Sequence, residues 1–388
     1  MFRILVLVVV CMVASGPVHA RMRVVPDSYL ATIRDDGTSP LPRGLAPGES
    51  VPEWQRPPFP AEAPGGHVRA IAEYEGNSGI LIRWGDFNSL HTAMVVPLTT
   101  AEPPAEVWIV VSGASQQQSA SNVLEGGGAD LAHVHFLTAD SNSVWIRDYG
   151  PRFIQHDGLP AIVDHVYNRP RPDDDDVPIA VGEAWDEPVY ELPLVHGGGN
   201  FHLFRNRDAF MTRLVVNENP GVDEAEVIDD FRAYEGLNLT LFDPFPQNYD
   251  STQHIDMWML PLADHKVLIG EYDPSEGGGV PNAVTEAAAD ELASRRYTVY
   301  RTPGWNDFGT HYTYTNSVIV NQVVLICRFD GYETENAEAL ATYQQAMPEH
   351  TIVAVDCSDI IGLAGAMHCI VMHVPDLLFR DDSDDVIL

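Results

Sequence analysis

From residue 79 onward the chain repeats itself in pattern, about every 55 to 60 residues: two β-like runs joined by a short turn, a helix-like stretch, then another strand. The paired runs are GILIRWGDFNSLHTAMVV (79–96), SVWIRDYGPRFI (143–154), GGNFHLFRNRDAFMTRLVV (198–216), HIDMWMLPLADHKVLIGEY (254–272) and YTYTNSVIVNQVVLICRF (312–329). All are rich in β-branched and aromatic residues and broken by Gly, Pro, Asn or Asp. Helix-like segments lie near 115–125, 221–236, 281–297 and 334–347, and apolar strands at 107–111 (VWIVV) and 351–355 (TIVAV). The stretch 167–193 fits least, with YNRPRPDDDDVP where a helix is expected. Five such units predict a closed α/β arrangement, a pseudo-fivefold ring of ββαβ modules rather than a doubly wound sheet. A mixed α+β sandwich is the alternative.

The ends read differently from this body. Residues 1–20 have the form of a secretory signal: Arg3, an apolar stretch from Ile4 to Ala14, and the small-residue pattern Val18-His19-Ala20, with cleavage expected after Ala20. Residues 21–66 carry Pro26, Pro40, Pro42, Pro47, Pro52, Pro57, Pro58, Pro60 and Pro64, and read as an extended arm or wrapped leader. The catalytic domain is then expected over 67–388, in a secreted or periplasmic protein. No later run approaches the roughly 20 apolar residues of a membrane helix. The formal charge of −34, with Lys266 the only lysine, excludes a nucleic-acid partner. Removing the leader removes Cys11 and leaves Cys327, Cys357 and Cys369. Cys327 and Cys357 end apolar runs and could pair, which would leave Cys369 free; all three as reduced core residues is the other reading.

Polar residues recur near the start of successive pairs: Asp148, Asn200, His254 with Asp256, Asn316 and Cys369. From Asp148 to Asn200, His254, Asn316 and Cys369 the steps are 52, 54, 62 and 53 residues, one module each. In a closed ring, equivalent positions point at one axis. His254 and Asp256, two apart on an expected strand, would share a face. The set offers a cysteine nucleophile, a histidine acid/base and two carboxylates. Two carboxylates aimed into one pocket repel unless a cation neutralises them. A metal suits the mixture of one His, two Asp and one Cys poorly, so no metal and no cofactor is expected. A guanidinium fits, because its planar fork pairs bidentately with carboxylates and leaves its carbon open to a thiolate.

WIRDYGP (145–151), GGGN (197–200), HIDM (254–257) and the HC of AMHCI (366–370) resemble the signature of the Porphyromonas-type peptidylarginine deiminase family, which includes agmatine deiminases and belongs to the pentein, or guanidino-group-modifying, superfamily. The likeness runs in order from about Ile71 to Met372, and the superfamily fold is the fivefold α/β propeller. The resemblance implies that Cys369 attacks the guanidinium carbon, Asp148 and Asp256 hold its nitrogens, and His254 protonates departing ammonia and then activates water against a thiouronium intermediate. It further implies a supporting role for Asn316 and a wall against the arginine stem at Trp145. Family members that act on peptidyl-arginine resemble the segment 167–176 and use such arginines for a C-terminal carboxylate, so Arg169 and Arg171 are expected to clamp one. The expected activity is hydrolysis of peptidyl-arginine, C-terminal by preference, to peptidyl-citrulline and ammonia. Agmatine deiminase and a catalytically silent arginine-binding module are the alternatives.

Overall fold

The computed structural model describes residues 22–376 except 38, 52, 58–60 and 278, so the expected leader lies outside the described residues. Five sheets are present among the described residues. Each is built on one plan, an antiparallel pair followed through a helix to a strand parallel with the second member. Arg152–His156 pairs Leu159–Tyr167, and the helix Val177–Trp185 leads to Val189–His196. His202–Leu203 pairs Asp208–Thr212, and Glu224–Glu235 leads to Asn238–Phe242. Met259–Ala263 pairs Lys266–Glu271, and Gly279–Ser294 leads to Thr298–Asp307. Val318–Val320 pairs Val323–Arg328, and Glu333–Ala346 leads to Thr351–Asp356. The remaining module takes its first strand from the far end of the chain. Met372–Pro375 lies antiparallel to Asn77–Arg83, which leads through Asn88–Thr99 to Glu106–Val111. The five ββαβ modules expected from the repeat are therefore there, closed by that last strand.

Local chemistry accounts for some of the boundaries. Helix Glu224–Glu235 begins at a reciprocal capping box between Asp223 and Glu226 and ends at Gly236, whose φ is 72°. The weak stretch 167–193 does hold helix, Pro172–Asp175 and Val177–Trp185. Pro172 and Pro178 stand in their first turns, where the missing N–H has no partner to lose. The acidic run is partly structural: the Asp174 carboxylate accepts from the amides of Asn142 and Ser143, at 2.7 and 3.0 Å.

The first expected pair is wrong in its second half. Asn88–Thr99, rich in β-branched residues, is a helix, and the true partner of Asn77–Arg83 is Met372–Pro375. Ten of its twelve side chains are buried, so it shows no polar face and no helical period to set against its β-like composition.

Cys327 and Cys357 form a disulfide between the ends of two parallel-paired strands, and Cys369 is free. The sequence separation is 30 residues. Reduction is expected to destabilise the fold by about 3 to 4 kcal/mol on chain-entropy grounds. Denaturant unfolding with and without reductant tests this, and an unchanged midpoint would refute it. No helix among the described residues is long and apolar enough to cross a membrane.

Candidate active site

Most modules enter their first strand through a short turn rather than directly. Those turns are Ile146–Tyr149, Gly198–Asn200, Ile255–Met257 and His368–Ile370, with Asn316 in the link before Val318–Val320. The turns pack on one another, and this brings Asp148, His254, Asp256, Asn316 and Cys369 together although 221 residues separate the first from the last. All five are buried. The expected strand for His254 and Asp256 is thus a turn of 3-10 helix with His254 at its start. Their common orientation comes from that turn and not from strand alternation.

What fills the space between them is an arginine of the Pro-rich arm. Arg43 is completely buried. Its Nε donates to Asp148 Oδ2 and its Nη2 to Asp148 Oδ1, both at 2.8 Å. Nη1 donates to Asp256 Oδ1 at 3.1 Å and Nη2 to Asp256 Oδ2 at 2.9 Å. Two carboxylates thus grip the guanidinium along two of its edges, the strongest arrangement open to it. Nη2 also lies 2.8 Å from His254 Nδ1. Trp145 and Cys369 close on the stem: a Cβ at Gly365 would stand 2.6 Å from Trp145 Cζ3, 3.0 Å from Arg43 Cδ and 3.1 Å from Cys369 Sγ.

The wall opposite is Gly199. Its amide donates to Asp148 Oδ1 at 3.0 Å. A Cβ there would come 1.7 Å from Arg43 Nη2 and within 2.8 Å of both carboxylates. Only a residue without a side chain leaves the guanidinium its seat. Cys369 Sγ lies 3.2 Å from Asn316 Oδ1, 3.6 Å from Asp256 Oδ2 and 3.4 Å from the Ala366 amide, which donates to it. Asn316 Oδ1 also accepts from the His368 amide at 3.0 Å, so it fixes the turn that carries the cysteine.

The electrostatics follow from these distances. Burial alone would raise the carboxyl of Asp148, but Arg43 and then His254 hold it well below the usual range. Asp256 is lowered against its burial by Arg43 and His368. Burial pushes the Cys369 thiol well up, and Asp256 and Asp148 push the same way, whereas the Arg43 guanidinium opposes them. Burial and the two carboxylates thus favour the neutral thiol, and a cation in the seat opposes them.

Arg169 and Arg171 do not meet on one group. Arg169 Nε donates to the Arg43 carbonyl at 3.0 Å. Arg171 Nη2 donates to the carbonyls of Pro42 and Gly44, at 2.8 and 3.1 Å, and pairs with Glu49 of the arm at 3.1 Å. Trp145 Nε1 donates to the Leu41 carbonyl at 2.8 Å, and the Arg43 amide donates to the Leu363 carbonyl at 3.0 Å. Both arginines hold the backbone around the seated residue, and Arg171 also holds the Glu49 carboxylate.

Arg147, beside Asp148, turns away to Glu73 at 2.9 Å and to His373 Nδ1 at 2.8 Å. His368 joins that network to the site, with Nδ1 2.9 Å from Asp256 Oδ2 and Nε2 2.9 Å from Glu73 Oε2. His368 shares its turn with Cys369 but lies behind Asp256, away from Arg43. Glu73, His202 and His368 are also near enough to offer one ligand atom each to a metal ion. The Arg147 guanidinium on Glu73 already brings a positive charge there. Sequence reasoning missed Arg43 and the Glu73 network, and had Gly199 only as part of the GGGN motif. The only trace of Arg43 was its place in an extended Pro-rich stretch, Leu41-Pro42-Arg43-Gly44.

Residues 69–375 match the family described as Porphyromonas-type peptidyl-arginine deiminase. The chain is 24% identical over 315 residues to an agmatine deiminase of Pseudomonas aeruginosa, a match covering 69% of this chain and 82% of that one. Among solved structures, the agmatine deiminase of Enterococcus faecalis superposes with a TM-score of 0.69 at 18% identity, over 84% of this chain and all of the other. An agmatine deiminase of C. jejuni superposes with a TM-score of 0.66 at 16% identity, over 79% and 96%. These likenesses show the same fold.

Proposed function

Because this chain belongs to the Porphyromonas-type peptidyl-arginine deiminase family, and is with it a guanidino-group hydrolase acting on an amidine C–N bond, we propose that its substrate is an arginine carried in a peptide, converted to citrulline with release of ammonia. The observation that carries this reading is the seated Arg43: a peptidyl guanidinium held by Asp148 and Asp256, with its backbone carbonyl on Arg169 Nε.

In this reading Cys369 Sγ attacks Cζ, its proton passing through His254 to Nη2, which leaves as ammonia. The thiouronium that remains is then opened by water, with His254 Nδ1 as the base. Asp148 and Asp256 hold the positive charge throughout and fix Cζ for attack. Asn316 orients the thiol, Trp145 flanks the stem, and the substrate's own cation helps to ionise the cysteine. No metal or cofactor is called on. The disulfide supports an oxidising site of action, in keeping with the proposed export signal at 1–20.

The competing substrate is agmatine, favoured by the names of the relatives. Agmatine has no carbonyl, so Arg169 would lose the contact it makes to Arg43. The test is ammonia release from peptides with internal arginine, peptides ending in arginine, and agmatine. Peptides are expected to be preferred, and Arg169→Ala is expected to lower kcat/KM on them by about tenfold, the worth of one charge-assisted hydrogen bond, while leaving agmatine unaffected. Agmatine as the only good substrate would overturn the peptide reading. A terminal arginine presents an oxygen where the Arg43 carbonyl lies, so both peptide classes suit Arg169.

A further inference from the structure

Arg43 does not graze the site; it occupies it as a reactant would. Its guanidinium is bidentate on Asp148, doubly bonded to Asp256 and 2.8 Å from His254 through Nη2, the nitrogen shared by all three. The arm is held on either side of it. Asp35 accepts from the Asn88 amide at 2.8 Å, the contacts of Leu41, Pro42 and Gly44 flank the seat, and Arg56 is bidentate on Asp230 at 2.8 and 2.9 Å. An intramolecular segment so anchored outcompetes free peptide by its effective concentration, in the millimolar range for short tethers. In this state no outside guanidinium can enter.

We propose that Arg43 is the first substrate of this site, deiminated in cis by the chain that carries it; the proposal rests on the peptidyl-arginine reading above. The Cys369 Sγ–Cζ bond forms and the Cζ–Nη2 bond breaks, with the thiol proton carried by His254 to the departing ammonia. Water then adds to Cζ and the Cζ–Sγ bond breaks, returning the thiol. The balance is one arginine and one water to one citrulline and one ammonium ion, and no oxidant or cofactor is needed.

The product cannot hold the seat as the reactant did. The ureido group is neutral, and it replaces both N–H donors of Nη2 with an oxygen acceptor facing carboxylates. Asp148 and Asp256 lose the cation that now compensates them and keep only the neutral Nε and Nη1 donors, beside the backbone contacts of Leu41 to Gly44. One turnover thus unlocks the site for outside substrate.

The test is peptide mass spectrometry of residue 43 in the purified full chain, beside Cys369→Ala. Citrulline at 43 in the wild-type chain and arginine in the variant is the expected result, with a first-order rate that dilution does not change. Conversion of the variant's Arg43 by added wild-type chain at the same rate would overturn the cis step. In parallel, Arg43→Gln should release ammonia from an arginine peptide without the lag expected of freshly folded wild type. A wild-type chain that turns over the peptide while its Arg43 stays arginine overturns this inference and leaves the deiminase reading standing. If neither peptide, agmatine nor Arg43 is converted, both fall.

Discussion

Cys369→Ala is expected to abolish ammonia release from every guanidino compound, by on the order of 10⁴-fold or more, the usual cost of losing a covalent nucleophile. It should also abolish covalent labelling by a haloacetamidine, an amidine with a leaving group that enters the same seat. The fold should survive, because the sulfur makes no disulfide and its neighbours are held by other bonds: Asn316 keeps the His368 amide at 3.0 Å. The pH dependence has a definite sign. Burial and the two carboxylates raise the thiol's pKa, so labelling of the wild-type chain should climb with pH beyond the range of an ordinary thiol and fade as pH drops. Bound substrate fills the same seat and should protect the thiol from the label. Labelling that persists in Cys369→Ala, or a flat profile in the wild type, would refute the assignment.

Gly199→Ala is the second large effect. The added methyl would fall 1.7 Å from the place of a guanidinium nitrogen and 2.7 Å from Asp148 Oδ1. No rotamer can relieve this, since a Cβ has no torsion to turn. The substrate must shift by about an ångström, and misplacement of that size costs on the order of 10²-fold. We expect kcat/KM to fall at least that far on peptide and agmatine alike, with Arg43 expelled from its seat. Activity within a factor of a few of wild type would mean that productive guanidinium binding lies elsewhere.

The fold was legible because five modules each carry their own hairpin, helix or strand signal, and spacing survives even where identity does not. Legibility failed where burial erases periodicity, as in Asn88–Thr99, and where a strand's partner lies about 290 residues away, as for Asn77–Arg83 and Met372–Pro375. Asp148, His254, Asp256 and Cys369 could be found because ring geometry turns equal spacing into proximity. Their local structure could not, since a turn of 3-10 helix and a strand start share the same few residues. Arg43 had no such signal. An arginine in a Pro-rich arm has no period and no module, and its partners are set by where the arm is laid.

That Met372–Pro375 closes the ring has a bearing on biosynthesis. The strand that completes the first sheet is the last of the described strands to be made, and Cys369 stands three residues before it. A growing chain therefore emerges with Asp148, His254 and Asp256 long before it has Cys369, the proposed nucleophile, while the arm, made first, is already at hand to be laid down. Closure joins the most distant parts of the sequence and is expected to be a late, slow folding event. The chemistry and the latch across it would then be assembled at the same moment, so that no guanidinium outside the molecule meets an armed site during synthesis.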